Sequence, residues 1–173
     1  LWGRHEALLQ KLQCPNWVTS VAVSPDGQMI AGAYGGIPPG GVRELTSKEL
    51  AKWRNGTVHL WRAADGGTIR TFNTPEPGIW SVAFAPNGET IAAATGTPIG
   101  DVAGSPFGSN GVRLWRLSDG ELIHQWLGYT GQMRSVAFSP NGKIVASGGD
   151  DRILRLWRVS DGTLLHTLEG HNA

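Results

Sequence analysis

Nucleophilic catalysis needs a serine or cysteine exposed on a sharp turn, an activating histidine and an orienting acid. The chain offers one cysteine, Cys14, and five histidines, but no Gly-x-Ser-x-Gly. Ser24, Ser118, Ser139 and Ser160 instead recur beside Pro-Asp-Gly, Pro-Asn-Gly or Asp-Gly, where a hydroxyl serves the backbone of a turn. A metal is served no better. His124 and His166 sit at matching places in a recurring unit and His59 lies in a different segment, so they do not converge as zinc ligands must. The run from Gly104 to Gly111 is glycine-rich, yet it lacks the Lys-Ser or Lys-Thr and the following helix of a phosphate loop. Asn55-Gly56-Thr57 matches a glycosylation acceptor and is read as a chance match. Arg62, Arg116 and Arg158 repeat at one place of the unit, which points to a structural or solvating role rather than a nucleic-acid stripe. No catalytic residue, metal ligand or cofactor is expected.

Composition narrows the classes further. A chain of 173 residues suffices for one ordinary domain. Its net charge of +1 supplies no footprint for a nucleic-acid backbone or an anionic membrane, so neither is expected as a partner. One cysteine excludes an internal disulfide framework, and a reducing, cytoplasmic setting is expected. Apolar stretches such as 79–85 fall far short of the roughly 20 residues that cross a bilayer as a helix. The opening Leu1-Trp2-Gly3-Arg4 has neither an initiator methionine nor a signal segment, so a fragment of a longer protein is expected. Twenty-five glycines and eight tryptophans point to many tight turns and many half-buried anchors, as in all-β proteins.

The elements that must carry these residues repeat. Three segments superimpose: Val18-Thr-Ser-Val-Ala-Val-Ser-Pro-Asp-Gly27, Ile79-Trp-Ser-Val-Ala-Phe-Ala-Pro-Asn-Gly88 and Met133-Arg-Ser-Val-Ala-Phe-Ser-Pro-Asn-Gly142. A second phrase follows each: Val58-His-Leu-Trp-Arg62, Val112-Arg-Leu-Trp-Arg116 and Leu154-Arg-Leu-Trp-Arg158, with Leu1-Trp2 as the tail of a fourth copy. Trp115 and Trp157 stand 42 residues apart, the length of a four-stranded propeller blade. Alternation of apolar residues predicts strand a, Pro-Asp/Asn-Gly a tight turn, then strand b, then strand c ending in Leu-Trp-Arg, and Asp-Gly the turn into strand d. A meander that is apolar on both faces cannot stand alone, so copies must stack about an axis.

These phrases resemble the WD-repeat β-propeller family, in a bacterial style with Trp-Arg in place of Trp-Asp. The resemblance implies an all-β fold: a partial ring of about three and a half four-stranded blades. Residues 1–15 are expected to hold strands c and d of a partial blade, followed by blades at 16–73, 74–127 and 128–173. The remaining blades are expected from the rest of the parent chain or from another subunit. The family often ties strand c through a His-Ser/Thr-Asp-Trp network. Here Cys14, Pro75 and Tyr129 occupy the His positions and only Asp151 keeps the Asp, so no complete network is expected.

The first two units carry long insertions between strands b and c, which family geometry places on one rim together with the d-to-a loops. Thr46-Ser-Lys-Glu49 reads as a capping box and Gly56 as a terminator, predicting a short helix that bears Trp53, either an anchor for a partner or a side chain packing the helix down. The second insertion, 97–111, is rich in Gly and Pro and bears Phe107 at its middle. In the family, residues at the start of strand a and just before the b-to-c turn aspartate commonly touch partners. Those positions hold Trp17 and Thr19, Gly78 and Trp80, Gln132 and Arg134, and Asp150. Tryptophan and arginine are the types enriched at interface hot spots, although Trp17 and Trp80 could equally seal gaps between blades. The resemblance therefore implies a non-catalytic scaffold that binds a protein or peptide through this rim. The alternatives are a sensor segment of a larger multidomain signalling protein (an ATPase switch, kinase or caspase-like protease) and, with least support, a propeller enzyme.

Overall fold

A computed structural model describes residues 11, 12, 14, 17–35, 55–96, 110–127 and 129–170. All twelve of their regular elements are strands. They are β1 (Val18–Val23), β2 (Met29–Tyr34), β3 (Gly56–Arg62), β4 (Thr68–Thr74), β5 (Gly78–Phe84), β6 (Thr90–Gly96), β7 (Gly111–Arg116), β8 (Leu122–Leu127), β9 (Met133–Phe138), β10 (Ile144–Gly149), β11 (Leu154–Arg158) and β12 (Leu164–Leu168). Three antiparallel sheets result, β1–β4, β5–β8 and β9–β12, each a simple meander in chain order. The predicted helix with Trp53, the loop with Phe107 and nearly all of the partial blade at 1–15 lie outside the described residues. Gly56, read above as a helix terminator, opens β3.

The turns follow from their residues. Gly27, Gly88 and Gly142 close the a-to-b turns with φ of 71°, 69° and 69°, and Gly66, Gly120 and Gly162 close the c-to-d turns with φ of 67°, 83° and 73°. A side chain at these positions would be strained. In the first turn Ser24 Oγ donates to Asp26 and accepts from Met29 N, and Ser139 does the same with Asn141 and Ile144 N. Each c-to-d turn has an aspartate that accepts the backbone N–H two residues on and pairs with the arginine of Leu-Trp-Arg: Arg62–Asp65 at 2.6 Å, Arg116–Asp119 at 2.7 Å and Arg158–Asp161 at 2.8 Å. Those hydrogen bonds hold the three aspartate carboxyls below their ordinary pKa. The repeating arginines thus belong to turns.

The core lies between sheets. One face of the first sheet (Ala31, Ala33, Val58, Leu60, Phe72) packs on Ile79, Val82, Ile91, Ala93 and Trp115 of the second. The opposite face of the second (Ala92, Ala94, Val112, Leu114, Trp126) packs on Met133, Val136, Val145 and Trp157 of the third. Each interface is also bolted by polar groups. Ser20 Oγ accepts Val82 N at 3.2 Å, and Ser81 Oγ accepts Val136 N at 3.3 Å. At the other end Arg70 donates to Asp119 O at 2.8 Å and His124 meets Val159 O at 2.8 Å. The two serine bonds occupy equivalent positions, and Arg70 and His124 are equivalent donors whose acceptors differ by two residues along the c-to-d turn, so the same strands join first sheet to second and second to third.

The two end faces of the stack are open. Val21 is 68% exposed, whereas its counterpart Val82 is 6% exposed and Val136 5%. Val18 and Val23 on β1 and Leu168 on β12 are exposed too. The described blades do not close a ring.

Candidate protein-binding rim

Strand register puts the starts of β1, β5 and β9 beside the ends of β2, β6 and β10: Val18 pairs with Tyr34, Ile79 with Thr95, and Met133 with Gly149. All b-to-c and d-to-a connections therefore emerge at one edge, and the short a-to-b and c-to-d turns at the other. Trp17, Thr19, Trp80, Gln132, Arg134 and Asp150 all fall on the first edge.

Trp80, Arg134, Asp150 and Gln132 come together across the second and third blades. Arg134 donates Nε to Asp150 Oδ1 at 2.8 Å and Nη2 to Oδ2 at 2.9 Å, a two-bond fork. Its guanidinium carbon lies 4.7 Å from the centre of the Trp80 ring, a cation–π contact. Both members of the ion pair remain about half exposed, 47% and 45%. Asp150 N donates to Gln132 O at 2.9 Å, closing the cluster through the backbone. Glycines let the chains approach here: a Cβ on Gly96 would meet Gln132 at 2.9 Å, and one on Gly78 would meet Gly96 O at 2.6 Å. Trp80 Nε1 and Gln132 Oε1 are buried without a hydrogen-bond partner.

Thr19 and Trp17 are placed differently. The Thr19 hydroxyl lies in reach of the Ala33 and Ile79 carbonyls and so ties the first blade to the second. Trp17 is 56% exposed at the entry to β1, away from the Trp80 cluster by one blade. Trp53 and Phe107 lie outside the described residues.

Beneath this rim runs a set of contacts that reading by repeats alone passes over. The residue two before each Trp-Arg is polar, and in a strand it shares the face of the tryptophan. His59 stacks on Trp61 at 4.4 Å and bonds Tyr34 and Thr68, each at 2.9 Å; burial holds its imidazole below the ordinary pKa. Arg113 donates to Glu76 at 2.7 Å, and the pair is buried, 4% and 0% exposed. Burial pulls the Arg113 guanidinium down in pKa, and Glu76 opposes the pull. Arg155 pairs with Asp151 and covers the ring of Tyr129 at 4.7 Å. Tyr129 in turn meets Trp157 edge-on, and burial raises its hydroxyl to about 12. Trp157 Nε1 donates to Ser147 at 3.1 Å. The complete network of the family is not expected from the sequence, and one leg of it, Trp157–Ser147, is present; around it a different pair in each blade stands where a loop histidine would make its links. The signal was the polar position in Val-His-Leu-Trp, Val-Arg-Leu-Trp and Leu-Arg-Leu-Trp.

Among the described residues no group of three or more His, Cys, Asp or Glu is placed to hold a metal ion, and no helix is long and apolar enough to cross a membrane.

Four-stranded meanders packed face to face, with inner strands side by side and long connections gathered on one rim, are the blades of a β-propeller. The WD domain, G-beta repeat, pattern matches residues 6–37, 66–116 and 120–158, more than half of the sequence. The chain belongs to the WD-repeat family. Its repeats overlay on a structure of RRP9 WD40 repeats with a TM-score of 0.69 over 92% of this chain and 41% of that one, at 15% identity, a likeness of fold. Eukaryotic translation initiation factor 3 subunit I of Aspergillus oryzae is 33% identical over 85 residues, 49% of this chain and 22% of that protein. An uncharacterized WD repeat-containing protein of Synechocystis is 25% identical over 146 residues, 84% of this chain and 33% of that protein. The chain thus spans about a fifth to a third of these curated relatives.

Proposed function

We propose that these blades form part of a non-catalytic, cytoplasmic scaffold that binds another protein or a peptide through the rim bearing Trp80, Arg134 and Asp150. One observation carries the reading. A half-exposed arginine is held in a fixed plane by an aromatic ring and a carboxylate, at the junction of two blades, on the edge where the longer connections emerge. Such a side chain has little freedom left to lose on binding. Membership of the family supports the same reading, as does the name of the initiation-factor relative, which is a subunit of an assembly. The open faces at Val21 and Leu168 fit further blades, supplied by the rest of a longer chain or by a second subunit.

The experiment is capture from extract by the intact protein. Trp80→Ala with Arg134→Ala abolishes capture and leaves the circular-dichroism spectrum unchanged; undiminished capture by the folded variant would rule the rim out.

A further inference from the structure

We infer that the Trp80–Arg134–Asp150 cluster is a receptor for a carboxylate side chain on an acidic partner segment. The inference rests on the rim being the docking surface and adds the chemistry of what docks.

A guanidinium presents two flat edges, each able to grip a carboxylate with parallel N–H bonds. Asp150 takes the edge formed by Nε and Nη2 of Arg134. None of the described residues bonds Nη1, so the edge formed by Nη1 and Nη2 stays available on a side chain that is 47% exposed. Trp80 covers one face of the guanidinium and fixes its plane. The free edge is thus aimed before a ligand arrives, and a planar acid meets it without ordering a flexible side chain.

The sign of the partner follows from the charges around the cluster. The turn after β10 contains two acids, and both are committed: Asp150 to Arg134, and Asp151, buried, to Arg155. Arg152, in the same turn, is exposed and forms no ion pair with a described residue. It is also the one described non-glycine residue with a left-handed backbone, φ 63°, a conformation that carries strain and is found at ligand-facing turns. A cationic partner would have to break an existing ion pair, whereas an anionic one finds a free edge on Arg134 and an unpaired Arg152. The opposite edge differs: no aromatic ring stacks on Arg62, Arg116 or Arg158 among the described residues, and each of these arginines is paired within its own turn.

The test uses the intact protein and three labelled peptides of one length, with glutamate, glutamine or lysine at alternate positions between glycines, followed by fluorescence anisotropy at about 0.15 M salt. The glutamate peptide binds and the other two do not. Arg134→Gln weakens it about tenfold, the effect of losing one charge-assisted bond. Arg134→Lys weakens it comparably, because charge is kept and the flat edge is lost. Arg152→Gln weakens it less, and Arg158→Gln on the opposite edge leaves it unchanged. Equal binding of the glutamine peptide, full binding by Arg134→Lys, or an equal loss in Arg158→Gln would each overturn the assignment. Loss of capture by the double rim variant together with no binding of the glutamate peptide overturns the carboxylate and leaves the rim standing. Glutamate-peptide binding with capture untouched by that variant overturns the rim as the docking surface for the captured partner.

Discussion

Glu76 and Arg113 allow the packing scheme to be tested at a single pair of atoms. The Glu76 backbone is held whatever its side chain does, because its carbonyl accepts Gly56 N and the Thr74 hydroxyl, both from the first blade. Its carboxylate crosses to Arg113 of the second blade at 2.7 Å, and neither side chain reaches solvent appreciably. Glu76→Gln keeps the volume and removes the charge, leaving a guanidinium buried against a neutral amide. Breaking a buried pair in this way costs about 3–5 kcal/mol, and the low end applies because the amide oxygen still accepts one bond. Against a total stability of about 5–15 kcal/mol that is a large shift in a denaturant midpoint. Adding Arg113→Met removes the stranded charge, and the double variant should recover to within about 1–2 kcal/mol of the parent, since an apolar replacement of a buried pair is often neutral. Equilibrium urea unfolding of the parent, both single variants and the double closes the cycle. A loss below about 1 kcal/mol in Glu76→Gln, or no recovery in the double variant, would refute the view that these charges are desolvated and mutually dependent.

Three further outcomes are expected. Burial keeps the His59 pKa below its ordinary 6.5, so the unfolded state takes up a proton first as the pH falls; stability drops below about pH 7, and His59→Gln flattens that slope in melting temperatures measured down to about pH 5. Ser81→Ala removes the acceptor for Val136 N, costs about 1 kcal/mol, and speeds hydrogen exchange at that amide, whereas an unchanged exchange rate would show the inter-blade bolt to be idle. In the intact protein Val21→Lys lowers the unfolding free energy measured by urea titration by about 2 kcal/mol or more, as Val82→Lys does; a silent Val21→Lys would mean that no further blade covers β1.

The strands, their order and their turns were legible because each depends on local chemistry. Pro-Asn-Gly and Asp-Gly select left-handed backbone at Gly88 and Gly120, and Val-x-Val alternation selects an extended chain wherever the segment ends up. The need for stacking was legible as well, since a sheet apolar on both faces has one remedy. Partner-facing positions could be placed on an edge by counting along the repeat. What counting could not supply was which of them meet. Arg134 reaches both Trp80, 54 residues earlier, and Asp150, 16 residues later, and Thr19 spends its hydroxyl on the backbone of the next blade. Glu76 gave no signal of its own, standing between two prolines in a connection, until the packing of the first two blades brought it onto Arg113. Local propensity acts through neighbours in the chain, while ion pairing and ring stacking act through a few ångströms of space. Only the angle and spacing at which the blades dock decide which side chains come within that range.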